Sequence, residues 1–225
     1  MNTLINIDEL RDYIQSDIAL KWVKSLISRY SETPESLDFI TLKKGITKEV
    51  LDELLPLSKY AQSYYNDPKV FLKFYPGSTT SYDADFIDSE GKLLERKEVT
   101  VAIDGQQSTI QAESIVEFGH SPIYHTPEYC GNVKNRTINE TDGDIVGTDS
   151  IIDLQSERIQ RAYRKKHENL HKYPNTTLLI GADIPLFMEW EYQAIIDKFE
   201  VLEDTFNSIK CVNISSNHCW ILKLI

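Results

Sequence analysis

Ser81–Gly105 reads SYDADFIDSEGKLLERKEVTVAIDG. The segment predicts two strands, about 82–88 and 92–102, joined by a Ser-Glu-Gly-Lys turn. It carries two carboxylates, Asp85 and Glu98, at positions where neighbouring strands can bring side chains together. Carboxylate oxygens are the ligands that Mg²⁺ and Mn²⁺ prefer. The hairpin is therefore the candidate centre of both a sheet and a metal site.

Strand geometry decides which side chains of the hairpin share a face, because residues two apart point the same way. Asp83 and Asp85 share one face of the first strand. On the second strand, Glu98 and Thr100 share a face, and the opposite face carries Glu95, Lys97 and Val99. Only one of these sets can point into a site if the sheet is half buried.

The chain beyond the hairpin alternates predicted strands with predicted helices. Further strands are expected at about 70–75, 176–181, 209–214 and 219–224, and further helices at about 108–118, 153–173 and 184–199. This alternation predicts an α/β fold with a central mixed β-sheet flanked by helices. Residues 120–147 show little periodicity and are expected to form a long loop.

The first part of the chain has helical periodicity. Apolar residues at helical spacing predict one amphipathic helix from about 8 to 31. A second helix begins at Thr47 and is expected to kink or end at Pro56. We therefore predict an N-terminal helical region, 1–66, followed by an α/β core, 67–225.

The overall charge is acidic, whereas one helix is locally basic. The 225 residues carry a net charge of -11, which is not typical of a protein that coats nucleic acid without specificity. The predicted helix after residue 153 concentrates Lys and Arg residues. Arg158, Arg161 and Lys165 are the candidates for contacts with nucleic-acid phosphates. A solvated helix face explains the same residues equally well.

The cysteine count and the hydropathy pattern bear on location. Three cysteines do not form a disulfide framework, which favours a reducing compartment. The N-terminal residues lack the pattern of a signal peptide, and no run approaches the roughly 18 apolar residues of a membrane span. The sequence therefore predicts a cytoplasmic protein with no membrane partner.

The hairpin resembles the core of the PD-(D/E)xK nuclease superfamily, whose fold is that of restriction endonucleases. In that pattern an Asp opens one strand and a Glu-x-Lys, or a related pair, lies on the next. Asp85, in Tyr-Asp-Ala-Asp-Phe, would be the Asp. Glu95-Arg96-Lys97 matches Glu-x-Lys literally, and Glu98-Val99-Thr100 is the alternative register, with Thr in the place of Lys. We prefer the second register because KEVTVAIDG resembles divergent members of the superfamily.

The resemblance extends to the later helix and strand. RIQRAYRKKHENLHKYPNTTLLIG resembles the superfamily's helix with spaced Ile, Ala and Lys, followed by an apolar strand. In such families a lysine missing from the strand can come from this helix, which makes Lys166 the candidate here. The resemblance thus implies a nuclease that hydrolyses phosphodiesters, with DNA favoured over RNA. Asp85 and Glu98 would bind Mg²⁺ or Mn²⁺ with the Val99 carbonyl, and Lys166 or Lys97 would stabilise the transition state.

The same residues also have simpler interpretations. Asp85 and Glu98 are equally consistent with exposed strand and turn charges. Glu53, on the second helix, is either a third acid of the site or a solvated helix residue. The alternative function is that of a catalytically silent member of the same fold, acting as a binding or assembly protein. The two functions differ in whether the carboxylates meet with a lysine nearby.

Overall fold

The computed structural model of the chain describes residues 5–32, 41–77, 80–103, 105–118, 125–130, 137–142, 147–184, 188–203, 206–215 and 219–224. Its main feature is a seven-stranded mixed sheet in the order β1-β2-β3-β4-β7-β8-β9. The predicted α/β class and mixed sheet are confirmed. Within the described residues, no helix combines the length and apolar character that a membrane span requires.

The strands of this sheet run antiparallel at both ends and parallel in the middle. Their bounds are β1 Tyr13–Gln15, β2 Val70–Phe74, β3 Ala84–Asp88, β4 Leu93–Val101, β7 Thr177–Ala182, β8 Ser208–Asn213 and β9 Cys219–Leu224. Strands β4, β7 and β8 are parallel neighbours, and the other pairs are antiparallel. All six residues of β7 are buried, as expected for a parallel strand covered on both faces.

Helices cover both faces of the sheet. Their bounds are α1 Ile7–Leu10, α2 Ala19–Arg29, α3 Ile46–Glu49, α4 Leu55–Tyr64, α5 Gly105–Phe118, α6 Thr148–His167 and α7 Glu189–Asp197, with a 3₁₀ turn at Leu170–Lys172. One apolar cluster joins α2 and α4 to the face that presents Leu72, Phe86 and Val99. A second cluster joins α6 and α7 to the opposite face, through Leu178 and Ile180 of β7.

The predicted single helix at 8–31 is wrong. The chain forms α1, then the short strand β1, then α2. Strand β1 pairs with β2, and the Ser16 hydroxyl donates to the Asp67 carbonyl at 2.8 Å, so contacts with distant residues override local helical periodicity. The region 1–66 therefore supplies an edge strand and shares one apolar core with the sheet.

The predicted long loop at 120–147 falls within the described residues only at 125–130, 137–142 and 147. Instead of a continuous loop, His125–Cys130 and Thr137–Asp142 form the antiparallel pair β5-β6, a separate two-stranded sheet. The other predicted helices and strands are found, with ends that differ from the expected ones by up to six residues.

A π-helical turn at Val50–Leu54 connects α3 to α4. Pro56, at the start of α4, has no N–H to donate, and the sequence correctly predicts an irregularity here. A methyl group added at Gly181 would lie 3.0 Å from the Pro56 Cγ atom, so α4 approaches β7 closely at this point. The close approach fixes the π-helical turn beside the ends of β4 and β7.

Candidate active site

Asp83 and Glu98 come together where β3 and β4 meet. The Asp83 N–H donates to the Lys97 carbonyl at 2.9 Å, which extends the strand pairing by one residue before β3 begins. The Val99 N–H donates to Asp83 Oδ2 at 2.7 Å. Residue 83 is therefore held opposite residue 98, and its carboxylate raises the pKa of Glu98. The result is a pair of acids on one face of the sheet.

Lys166 completes this pair from a distant part of the chain. Its ammonium donates to Glu98 Oε1, across 68 residues of sequence, and the Tyr173 hydroxyl also bonds to Glu98. The Lys166 side chain is 24% exposed and that of Glu98 is 6% exposed. Helix α6 places the lysine here because Ile159, Ala162 and Tyr163 are buried against the sheet. The predicted supply of a lysine from this helix thus agrees with the geometry.

Glu53 is a third acid beside the pair. It lies on the π-helical turn, and burial, together with Asp83 and Glu49, raises its pKa from 4.5 to about 8. Lys166 opposes this rise, and Glu98 adds to it. Of the two interpretations of Glu53, the structure favours membership of the site over a solvated helix position.

The charges of this group are not balanced. Burial and the neighbouring Asp83 raise the pKa of Glu98 to about 7, although Lys166 lowers it. Burial also raises the pKa of Asp83. The pKa of Lys166 is itself raised, because the Glu98 carboxylate outweighs the effect of burial. Three acids share one lysine, and acids with raised pKa values near a cleft are typical of functional sites.

A cleft of about 610 Å³ opens beside these residues. Its walls come from the segment 41–43, α3, the π-helical turn, the end of β4, the first turns of α5, and α6. Glu53 and Lys166 line it, as do Val99 and Thr100. The volume lies in the range of about 300–1,000 Å³ that is usual for ligand sites. Lys43, on the wall, pairs with Asp52 at 2.5 Å.

Asp85 does not join the site, contrary to the prediction. It lies opposite Arg96 in the β3-β4 pairing, and the Arg96 guanidinium donates to its two oxygens at 2.9 and 3.3 Å. The Tyr75 hydroxyl donates to the same carboxylate at 3.0 Å. Asp85 is 7% exposed, and its charge is neutralised locally. Asp83, two residues earlier on the same face, takes the position next to Glu98.

Lys97 and the literal Glu95-Arg96-Lys97 register are likewise absent from the site. Lys97 is fully buried on the opposite face of β4, with its Nζ 2.7 Å from Glu95 Oε1. The sequence predicts this separation, because 95 and 97 share a face that 98 does not. The preferred register at Glu98 agrees with the geometry. Val99, predicted as a ligand through its carbonyl, lines the cleft and bonds to Asp83 through its N–H.

The three residues predicted to bind nucleic acid occupy different surroundings. Lys165 lines the cleft. Arg161 pairs with Glu157 at 2.7 Å, one turn away on the same helix. Arg158 is half-buried and is not part of the cleft wall. Only Lys165 therefore combines a predicted phosphate contact with a position near the acids.

Sequence reasoning missed Asp83, although a signal for it was present. Asp83 shares a face with Asp85, and the choice between them depends on the register of β3 against β4. That register follows from the backbone bonds of residue 83 rather than from any motif. A pattern that seeks an acid at the opening of the strand fits Asp83 as well as Asp85.

Comparison with known proteins gives no relative for this chain. No family model, no curated protein and no solved structure matches it. The resemblance to the PD-(D/E)xK superfamily therefore stays a prediction from the sequence motif.

Proposed function

We propose that the protein is a metal-dependent nuclease of the PD-(D/E)xK type, which hydrolyses phosphodiester bonds with DNA as the expected substrate. One observation carries the proposal: Asp83 and Glu98, on neighbouring strands, meet a lysine from α6 beside a cleft. An acid opening one strand, an acid on the next and a lysine supplied by the later helix are the parts that the resemblance implies. Their coincidence in space supports a restriction-endonuclease-like core.

The donor set fits Mg²⁺ or Mn²⁺ bound with few protein ligands. Within the described residues, no group of three or more His, Cys, Asp and Glu side chains is arranged to hold a metal ion. Mg²⁺ usually needs only one or two carboxylates, with waters and substrate phosphate completing its shell. Asp83 and Glu98 would hold it, with Glu53 beside them. When bound, the ion would stabilise charge on the phosphoryl oxygens and lower the pKa of a coordinated water.

The chain's own groups have separate tasks in this proposal. Hydrolysis forms a bond from phosphorus to a water oxygen, which releases a proton to solvent, and breaks the bond to a sugar oxygen, which takes up a proton. The Lys166 ammonium lies next to Glu98 and stabilises the extra negative charge on the reacting phosphate. Glu53, whose pKa is raised to about 8, would hold a proton at neutral pH and would give it to the leaving oxygen.

The test is cleavage of plasmid and of single-stranded DNA with Mg²⁺ or Mn²⁺, using two variants of the site and a matched control at Asp85. Asp83→Asn and Glu98→Gln are expected to lose about 100-fold or more of the rate, since each removes charge from the site. Asp85→Asn, two residues away on the same strand, is expected to lose less than about fivefold. Circular dichroism of each variant checks that it is folded.

Two results would contradict the proposal. Cleavage that survives Glu98→Gln would place the activity elsewhere or in a contaminant. Loss of rate in Asp85→Asn but not in Asp83→Asn would restore the register predicted from sequence and reject the site described here.

A catalytically silent binding or assembly protein is the second candidate, and one observation favours it. Lys166 already neutralises Glu98, as a structural ion pair would. In that case Mg²⁺ and Mn²⁺ would not bind, and isothermal titration calorimetry would give no heat that depends on Glu98. Heat that disappears in Glu98→Gln would instead favour the nuclease.

A further inference from the structure

Two lysines on the cleft wall take no part in the group formed by Asp83, Glu98, Glu53 and Lys166. Lys48 lies on α3 and Lys165 on α6, and both line the cleft that contains Glu53 and Lys166. Both are exposed. Neither forms an ion pair or a side-chain hydrogen bond with any residue in the described part of the chain. They are therefore free to bind a ligand.

The wall of the cleft is basic, unlike the chain as a whole. Its described lining contains Lys43, Lys48, Lys165 and Lys166 against two acids, Asp52 and Glu53. Lys43 pairs with Asp52 and Lys166 with Glu98, whereas the exposed Lys48 and Lys165 have no ion-pair partner among the described residues. Glu53 and Asp83 are half-buried, so on a protein of net charge -11 the two exposed lysines are the part of the cleft that attracts an anion.

The burial of Glu98 and Lys166 limits the shape of an anion that can reach them. Glu98 is only 4% exposed and is paired with Lys166, whose side chain is 24% exposed. A phosphate must enter the cleft to reach them. A cleft of about 610 Å³ does not admit the full width of a duplex, and a duplex that stays outside must deform, at a cost in energy, to bring one phosphate to these groups. A single strand follows a narrow positive groove with its phosphates along the cations.

Resting on the proposed function, we infer that the cleft takes a single strand of nucleic acid, whose phosphates beyond the reacting one are held by Lys48 and Lys165. The two lysines come from different walls, so a strand passing between α3 and α6 contacts both. They determine affinity and strand type and take no part in bond cleavage. The substrate is then a polynucleotide end or single-stranded stretch rather than an intact duplex.

The experiment compares three substrates: a labelled oligodeoxynucleotide, its blunt duplex, and the small diester bis(p-nitrophenyl) phosphate. Lys48→Ala and Lys165→Ala are expected to raise KM for the single strand by about fivefold or more and to leave kcat unchanged. Each also lowers the slope of log KM against log salt by about 0.7, the value for one lost contact with a single-stranded phosphate. Each raises KM for the small diester by less than for the single strand, because that diester has no phosphate beyond the reacting one. Arg161→Ala, on α6 but paired with Glu157, is the control and leaves the slope unchanged.

Three results would overturn the inference: cleavage of the duplex as fast as the single strand, equal losses on the small diester, or an equal change of slope in Arg161→Ala. A chain that hydrolyses none of the substrates would sink the proposed function instead. Fluorescence anisotropy in EDTA then still tests the lysines. Tighter binding of the single strand than of the duplex, weakened in Lys48→Ala and Lys165→Ala, is expected, and its absence rejects the inference.

Discussion

Strand β4 carries an acid and a lysine contact on each face, and the two groups differ in almost every physical respect. On one face Glu98 meets Lys166, Asp83 and Glu53 beside an open cleft. On the other face Glu95 lies next to Lys97, which is fully buried. The two acids are three residues apart on the same strand and are covered by different helices.

The Glu95 side is a closed and balanced cluster. Its carboxylate accepts hydrogen bonds from the Tyr60 hydroxyl at 2.7 Å and the Tyr65 hydroxyl at 3.1 Å. Lys97 lies 2.7 Å away and Lys210 lies 3.3 Å away. Burial alone would raise the pKa of Glu95, but these partners lower it to about 2. The cation–π contact of Lys97 with the Tyr60 ring, at 3.8 Å, completes the cluster.

Glu95 has the surroundings of a structural acid, whereas those of Glu98 suit a functional one. Glu95 has more donors than it needs and remains ionised, whereas Glu98 faces other acids and has a pKa of about 7. A carboxylate held far below its ordinary pKa stabilises the fold but is a poor proton carrier at neutral pH. A carboxylate poised near neutrality beside a cleft is suited to binding and proton transfer.

The largest expected effect is the loss of stability on neutralising Glu95, compared with the same change at Glu98. Glu95→Gln leaves Lys97 and Lys210 buried without a counter-charge and should lower the free energy of unfolding by about 3–5 kcal/mol. Glu98→Gln should change it by less than about 1 kcal/mol, because Lys166 is partly exposed and repulsion from Asp83 is relieved. Urea denaturation at pH 7.5 measures both. Equal losses of unfolding free energy in the two variants would show that the two faces of β4 do not differ in this way.

A middle-sized effect should appear in the pH dependence of stability on the cleft side. The folded protein binds the Glu53 proton more tightly than the unfolded chain, since the pKa rises from 4.5 to about 8. The folded state therefore holds more protons between these pH values, and stability falls as pH rises through them. Glu53→Gln should be more stable than the unmodified protein by about 2–3 kcal/mol at pH 9, less than the full shift implies because water reaches the carboxylate.

The same variant should be indistinguishable from the unmodified protein near pH 4.5. Urea denaturation at a series of pH values measures the difference. A gap between the two proteins that stays constant from pH 4.5 to 9 would mean that Glu53 titrates normally and lies outside the group of acids.

The smallest expected effect concerns Lys97, on the buried side. Its contribution should make stability rise with pH, whereas that of Glu53 makes stability fall. Burial lowers the pKa of Lys97 from 10.5 to about 7, despite the nearby Glu95. The unfolded chain then binds more protons between these values, so the contribution of Lys97 makes stability rise with pH across this window. Lys97→Met removes this cost, and Glu95 keeps the Lys210 ammonium and two tyrosine hydroxyls as partners. The variant should therefore be more stable than the unmodified protein by about 1–2 kcal/mol at pH 6, and the gain should fade by pH 10.5. A loss of stability at pH 6 would show that the ammonium is a net stabilising partner of Glu95.

Periodicity predicted the parts of the fold that depend on burial. The apolar strand at 177–182 and the strands on either side of the hairpin turn were predicted within a few residues, because a buried strand requires a continuous or alternating apolar pattern. The separation of Glu98 from Lys97 also followed from strand geometry alone. By contrast, β1 is only three residues long and depends on its pairing with β2, which no local pattern encodes.

The site was predictable in part for similar reasons. Glu98 and Lys166 were predicted from the resemblance to the superfamily, and the structure brings the two side chains together. The choice of Asp83 over Asp85 required the register of two strands and the position of Arg96, which attracts Asp85 away from Glu98. The position of Glu53 depends on the close approach of α4 to Gly181, and the positions of Lys48 and Lys165 depend on the shape of the cleft. Neither can be predicted from a local sequence pattern.

The Glu95 cluster also has a consequence for the order of folding. The Lys210 ammonium donates to the Tyr60 hydroxyl at 2.5 Å, across 150 residues of sequence. Contacts of such separation are slow to form, because a long loop must close first. The Glu95 cluster cannot be complete until Lys210 has been made, whereas Lys166, the lysine of the opposite face, is made earlier. The two faces of the sheet therefore become able to form their ion pairs at different stages of synthesis.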